Sequence, residues 1–453
     1  MEPWDIEKLD GEFVWHPFTQ MLDWEKEKNI VIERGEGIYL YDIYGNRYID
    51  GVSSLWVNVH GHNNKEINEA IKAQIDRISH STLLGLGNVP SALLAKKLID
   101  IAPKTLKKVF YSDSGSTSVE IAIKVAFQYF KQKGAKYKEK KKIIAATSAY
   151  HGDTLGCVSV GGIELFHSIY KPLLFEALRI PYPYCYRCLF GMKYPGCMLY
   201  CASEAEKIIK VNGPESCALI IEPMIQGASG MITMPPGYMK RIERTCKDNE
   251  VLLILDEVAT GFGRTGEMFA AFHEDVNPDI MCVAKGISGG YLPIAATLFS
   301  REIYEGFLGN YEDNRTFFHG HTYTGNQLAA TAAVTSLELF NKNDLIYKIK
   351  ELVPYFKETL QEFNDIDIVG DVRTIGLMAG IELTKDRVTK EPFEQKERTG
   401  KKVTLKARES GAIIRPLGDV IVVMPPLSID RKNLGELLSI IYDSVKEVAG
   451  GLR

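Results

Sequence analysis

The stretch Pro278–Gly290, "PDIMCVAKGISGG", decides how this chain is read. Ile280 to Ala284 form a short apolar run, yet the run ends on the ammonium of Lys285 and is followed by Gly286, Ser288, Gly289 and Gly290. Without polar alternation, such a run predicts a strand covered on both faces. An amine at its end, among residues with almost no side chain, predicts a site where a flat ligand approaches the backbone.

Working outward, the same kind of run recurs in "KKVFYS" (107–112), "KIIAATS" (142–148), "CALIIE" (217–222), "VLLILD" (251–256) and "PIAATLF". Between them lie helix-periodic stretches such as "TSVEIAIKVAFQYFKQKG" (117–134) and "GYMKRIERTCKDN" (237–249). Apolar strands alternating with amphipathic helices predict an α/β domain, a mostly parallel sheet flanked by helices. After about residue 327 the pattern changes to long helices and then to "GLMAGIEL" and "VIVVMPP", a smaller α+β domain built from both termini. The expected division is 1–59 as an N-terminal segment joining the small domain, 60–325 as the large domain and 326–453 as the small one. The Gly45-Asn46 turn in "GIYLYDIYGNRYIDG" belongs to the first of these.

Charge narrows the partners. Lys plus Arg total 54 against 58 for Asp plus Glu, and the one basic run, "KYKEKKK" at 136–142, is expected to be a solvated helix end. Nucleic-acid footprints are clustered and net basic, so none is expected. No stretch of 18 apolar residues occurs, so no membrane is expected, and the acidic start "MEPWDIEKLD" lacks the form of a secretory signal. A cytoplasmic location with reduced cysteines is the expectation.

In an open parallel sheet, ligands bind beyond the carboxyl ends of the strands. Asp256 and Glu257 follow "VLLIL", Lys285 follows "DIMCVA", and "SDSGSTS" follows "KKVFY". Ser114, Gly115 and Ser116 lead into a helix whose opening, Thr117 to Glu120, fits a capping box, so free N–H groups face whatever lies in front. "LLILDE" also suits a magnesium nucleotide hydrolase, but no G-x-x-x-x-G-K-[ST] is present, "GFGRTG" (261–266) lacking the final pair. A phosphate cradle, a lysine and a carboxylate around one ligand match pyridoxal phosphate, which needs an anion site, an amine for its aldehyde and an acid on its ring nitrogen.

The run "LLILDEVATGFGRTGEMFAAFHEDVNPDIMCVAKGISGGYLPIAA" resembles the signature of the class III aminotransferases, fold type I pyridoxal phosphate enzymes. "VWHPFTQM", "DGVSSLWVNVHGHNN", "YHGDTLG" and "GAIIRPLGDVIVVMPP" resemble the members of that class that convert 8-amino-7-oxononanoate to 7,8-diaminononanoate in biotin biosynthesis. The resemblance implies a homodimer with active sites at its interface and a ping-pong reaction. It implies Lys285 as the cofactor-bound lysine and proton shuttle, Asp256 at the pyridinium nitrogen, Val258 and Tyr150 on the two ring faces, and Gly115 and Ser116 at the phosphate. His321 and Thr322 would reach the phosphate of the neighbouring subunit. Arg415 would hold the substrate carboxylate, Gly320 would offer backbone, and Asp153 and Arg264 would shape the pocket. Phe18 and the pair Leu55-Trp56 stand where adenosylmethionine-using members carry tyrosine and two tryptophans, so the donor is either S-adenosylmethionine or L-lysine. Other class III enzymes, acting on ω-amino acids or diamines, would share all the cofactor residues.

No metal ligand is assigned to the site. Cys185, Cys188, Cys197 and Cys201 in "CYRCLFGMKYPGCMLYC" leave two options, a structural zinc or a packed loop of free or oxidised thiols.

Overall fold

The computed structural model describes residues 2–27 and 29–452. Seven strands build its central sheet: β1 Leu106–Ser112, β2 Lys142–Ala146, β3 Leu178–Ile180, β4 Ser216–Ile221, β5 Leu252–Asp256, β6 Ile280–Val283 and β7 Ala295–Ser300. Their spatial order is β1-β7-β6-β5-β4-β2-β3. The pairs from β6 to β3 are parallel. β7 runs antiparallel to both neighbours, so the mostly parallel sheet contains one reversed strand. Because it is reversed, β1 still points the same way as β2 to β6, and their carboxyl ends line one edge.

Both faces are covered, which is why the strands read as unbroken apolar runs. Ile254 and Ile280 pack with Ile143, Ala218 and the inner face of helix Gly115–Gln132, including Val119, Ala122, Ala126 and Phe130. Their neighbours Leu253, Leu255 and Met281 turn to the other face, against Tyr238 and Ile242 of helix Tyr238–Asp248. Each such fully buried Ile or Leu contributes about 1.5–3 kcal/mol.

The two ends of the chain meet. An N-terminal meander, Ile32–Glu36, Tyr39–Asp42 and Arg47–Asp50, turns at Gly45 with φ 82°, and its last strand pairs in parallel with Ala412–Ile413. A second antiparallel sheet joins Val369–Ile375, Met378–Leu383, Val420–Val423 and Arg415–Leu417.

Two local expectations are corrected. The helix after β1 begins at Gly115 with Ser114 as its cap. Ser114 Oγ accepts from Thr117 N and Thr117 Oγ1 from Ser114 N, so the capping box is Ser114 to Thr117. Strand β1 stops at Ser112, the Asp113 carboxylate lies 2.7 Å from His321 Nδ1, and the extended Ser114 takes the cap position. Glu120 instead accepts from Thr154 Oγ1 and Gly156 N. In the basic run at 136–142, Lys140 is buried rather than solvated. Its ammonium donates to the carbonyls of Gly213 (2.7 Å), Ser216 (3.0 Å) and Glu250 (2.7 Å), joining the start of β4 to the turn before β5. Lys140→Met would strand those carbonyls without a donor, and we expect a loss of about 2–4 kcal/mol. An unchanged urea midpoint would contradict this role.

Candidate active site

The strand ends converge on a cavity of about 510 Å³. Each wall follows from a chain element that stops at the same sheet edge: Asp113 to Ser116 after β1, Tyr150 to Gly152 beyond β2, Glu222 after β4, Asp256 as the last residue of β5 and Lys285 after β6.

Lys285 opens a short 3-10 turn and has φ 47°, a left-handed value that costs a side-chain-bearing residue about 1–2 kcal/mol. Protein atoms surround its amine while one side of the chain stays open to the cavity. That burial lowers its pKa, against the opposing pull of Asp256 and Glu222. The amine lies 4.9 Å from the centre of the Trp56 ring. A depressed pKa enlarges the fraction of free amine, the nucleophilic form.

The small residues after Lys285 answer to a different neighbour than expected. A Cβ on Gly290 would come within 3.1 Å of Val57 Cγ2, and one on Gly286 within 3.0 Å of Phe262 Cβ. The run lets the 53–60 loop and Phe262 close against the lysine turn, rather than only admitting a flat ligand.

Asp256 is buried, with 4% of its surface exposed. Its Oδ2 lies 2.7 Å from His151 Nδ1, and its Oδ1 accepts from Val258 N at 3.0 Å. His151 Nε2 is buried without a partner among the described residues. The carboxylate is thus clamped on two sides at the cavity floor. Glu222 accepts from Gly227 N (3.0 Å) and Tyr150 N (3.4 Å), and burial pushes its pKa up to about 7.

The anion cradle takes its shape from glycines. A Cβ on Gly115 would stand 2.6 Å from Val258 Cγ1, and one on Gly152 would collide with Ser116 Oγ. Ser116 Oγ also accepts from Asp153 N at 3.3 Å. The cradle heads an 18-residue helix whose positive end favours an anion. A phosphate site made by removing side chains, an amine with depressed pKa and a clamped carboxylate fit pyridoxal phosphate.

Of the residues expected at the site, Lys285, Asp256, Tyr150, Gly115, Ser116, Val258 and Trp56 line this cavity. Tyr150 donates its hydroxyl to Asp153 at 2.9 Å. Phe18 and Arg415 form a second group beside Tyr150, with the guanidinium carbon 5.9 Å from the Phe18 ring centre. The Arg415 guanidinium has no hydrogen-bond or ion-pair partner among the described residues, and burial works against its charge. His321 Nδ1 lies 2.7 Å from Asp113 of its own chain, while Thr322 and Gly320 are exposed. Leu55 is 48% exposed and lies off the cavity.

Arg264 is 1% exposed and does not line the cavity. It donates to Ser53 Oγ (3.1 Å), Pro425 O (2.8 Å) and Asn58 O (2.6 Å). These bonds hold four successive left-handed residues, Ser53, Ser54, Leu55 and Trp56, with φ of 52°, 48°, 69° and 70°. Asp50 adds bonds to Ser54 N and Oγ. Arg264 therefore acts on the cavity through the turn that seats Trp56.

Sequence reasoning missed Glu222, His151 and Asp113. Glu222 carries the same signal as Asp256, a carboxylate straight after an apolar strand. His151 adjoins Tyr150 and gives no signal of its own. Among the described residues no three His, Cys, Asp or Glu side chains are placed to hold a metal. The four loop cysteines are free thiols lining one small cavity with Phe190 and Tyr194.

A family model for class-III aminotransferases matches residues 22–445. A Geobacter sulfurreducens protein named adenosylmethionine-8-amino-7-oxononanoate aminotransferase is 49% identical, covering 100% of both chains. The crystal structure of the Methanocaldococcus jannaschii protein of that name superposes with a TM-score of 0.93 at 49% identity, covering 98% of each chain. An amine transaminase from an uncultivated Pseudomonas species, solved with pyridoxal phosphate bound, gives a TM-score of 0.92 at 33% identity, covering 96% of this chain and 99% of that one. The lysine, carboxylate and glycine cradle thus stand within a family match spanning nearly the whole sequence, and the chain belongs to the class-III aminotransferases.

Proposed function

We propose that this enzyme converts 8-amino-7-oxononanoate to 7,8-diaminononanoate in biotin biosynthesis, taking the amino group from S-adenosylmethionine or L-lysine. The observation that carries the reading is identity: about half of all positions match, end to end, relatives that bear that activity in their names. Other transaminases superpose as well but at 30–33% identity, so the fold alone does not separate the activities and the higher identity carries the reading.

Bound pyridoxal phosphate supplies a carbonyl that takes up the amino group and a ring that withdraws electrons from the reacting carbon. Lys285 holds the cofactor through its amine and then moves a proton at Nζ during each half-reaction. Asp256, clamped by His151 and the Val258 N–H, keeps a negative charge where the ring nitrogen needs its proton. Tyr150 and Val258, both on the cavity wall, would hold the ring, and Gly115 and Ser116 would take the phosphate. Arg415, a half-buried guanidinium with no carboxylate partner among the described residues, receives that of the keto acid. Phe18 and Trp56 bound the substrate space, with Asp153 orienting Tyr150.

We further infer a homodimer. Leu84, Leu86, Val89, Phe318 and Tyr323 are 61–81% exposed, and Leu84 lies beside Gly320. An apolar face of this kind supports burial against a second copy, with Gly320, His321 and Thr322 offered to the neighbouring site. A cytoplasmic location is supported by eight free cysteines.

The direct test is the absorption spectrum of cofactor-loaded enzyme with each donor in turn, followed by turnover of 8-amino-7-oxononanoate. One donor should convert the cofactor band, and absence of conversion by both would reject the reading. Borohydride should fix the cofactor to the wild type and leave Lys285→Ala unlabelled by mass spectrometry. Arg415→Ala should raise KM for the keto acid about 30-fold or more, while cofactor affinity stays within twofold. Glu222 has a raised folded pKa, so its burial penalty is absent below about 4.5, grows with pH and is complete above about 7. Glu222→Gln should therefore gain about 1–3 kcal/mol over wild type at pH 8 and little at pH 4.5, read as the difference in denaturation midpoint. A gain independent of pH would show that the carboxyl is not the source.

A further inference from the structure

Phe166 lies on the short helix Glu164–His167, outside every role assigned so far. Its ring stands edge-on to Phe18, 5.4 Å between centres at 67°, and edge-on to Tyr150, 6.4 Å at 87°. Phe18 in turn carries the Arg415 guanidinium 5.9 Å from its ring centre. Arg415, Phe18, Phe166 and Tyr150 thus form one continuous arc. One end is an unpartnered cation, the other is a ring on the cavity wall, and between them the two phenylalanines present only hydrocarbon. Phe18 is held in this arc with φ 51° and 55% exposure, an unfavourable backbone state for a large side chain that faces solvent on one side.

We propose that Phe166 is a specificity-determining residue: with Phe18 it forms the apolar wall along which the methylene chain of the acceptor lies. This rests on the function proposed above and deepens it. A keto acid whose carboxylate sits at Arg415 and whose carbonyl reaches the cavity must lay the intervening carbons past these two rings. In 8-amino-7-oxononanoate those carbons are five methylenes with no polar atom, which matches a wall with no polar atom. An acceptor with a hydroxyl or amide in that stretch would lose a hydrogen bond to water and find no replacement.

The test uses cofactor-loaded enzyme and straight-chain monocarboxylates of four to nine carbons as competitors of the keto acid. In the wild type, affinity should rise about fourfold per added methylene over the middle of the series. Phe166→Ala should flatten that slope to less than about twofold per methylene, with cofactor affinity and donor KM changed less than twofold. Phe166→Leu and Phe166→Met, which keep an apolar surface there, should restore most of the slope. Arg415→Ala should weaken all lengths together and leave the slope intact. A wild-type slope in Phe166→Ala, or an equal loss at every chain length, overturns the proposal. If the wild type fails to turn over 8-amino-7-oxononanoate yet the slope depends on Phe166, the wall stands and the reaction assigned above falls.

Discussion

The structure depends on keeping a nucleophilic amine and a carboxylate charge in the same buried cavity without letting them neutralise each other's purpose. A lysine beside an aspartate would ordinarily become a firmly protonated ion pair. Here burial depresses the Lys285 amine, while Asp256 has its two oxygens occupied by His151 and the Val258 N–H. The carboxylate's bonds are thus spent on other groups than the lysine. The carboxylate itself stays on the wall of the cavity. The sheet makes this possible, because parallel strands deliver β5 and β6 as neighbours with carboxyl ends level, Asp256 opposite Cys282 and Lys285 three residues beyond.

The strain in the site is balanced by an interaction that is itself far from the chemistry. Four left-handed residues from Ser53 to Trp56 would cost several kcal/mol in an isolated chain. Arg264, Asp50 and the backbone of Met424 and Pro425 fix that turn from three sides. Its product is Trp56 packed over the Lys285 amine, and its support runs through the segment just beyond Val420–Val423. The wall that limits the amine is therefore tied to the C-terminal part of the chain, whose Arg415 lies beside Phe18 and Tyr150. Position and anchoring come from two different regions brought together by the pairing of Arg47–Asp50 with Ala412–Ile413.

What the sequence disclosed follows from how each feature is encoded. Lys285, Asp256 and the Ser114-Gly115-Ser116 cradle were legible because each ends an apolar run, and the sheet rule then places them together. Glu222 obeys the same rule after "SCALII" and was available to the same reasoning. The direction of β7 was not legible, since apolar residues pack equally well either way along the sheet. Nor was the left-handed turn, because "SSLW" contains no glycine and its conformation is imposed by Arg264, more than two hundred residues away in sequence. Lys140 escaped for a related reason. Its neighbours in "KYKEKKK" are solvated, and only the carbonyls at 213, 216 and 250, all distant in sequence, distinguish it.

The same distinction separates cofactor chemistry from substrate choice. The groups that handle the cofactor are fixed by strand ends and by glycines that leave no room for alternatives, as the close approach of Gly115 to Val258 shows. The groups that would meet the substrate are held differently: Phe18 by an edge contact with Phe166 and a left-handed backbone, Phe166 by a four-residue helix, and the Arg415 guanidinium by no side-chain hydrogen bond among the described residues. A firmly built floor with a lightly held rim suits a site that two unlike molecules use in turn, because the donor's amine and the acceptor's ketone need the same few groups at the floor and bring different bodies to the rim.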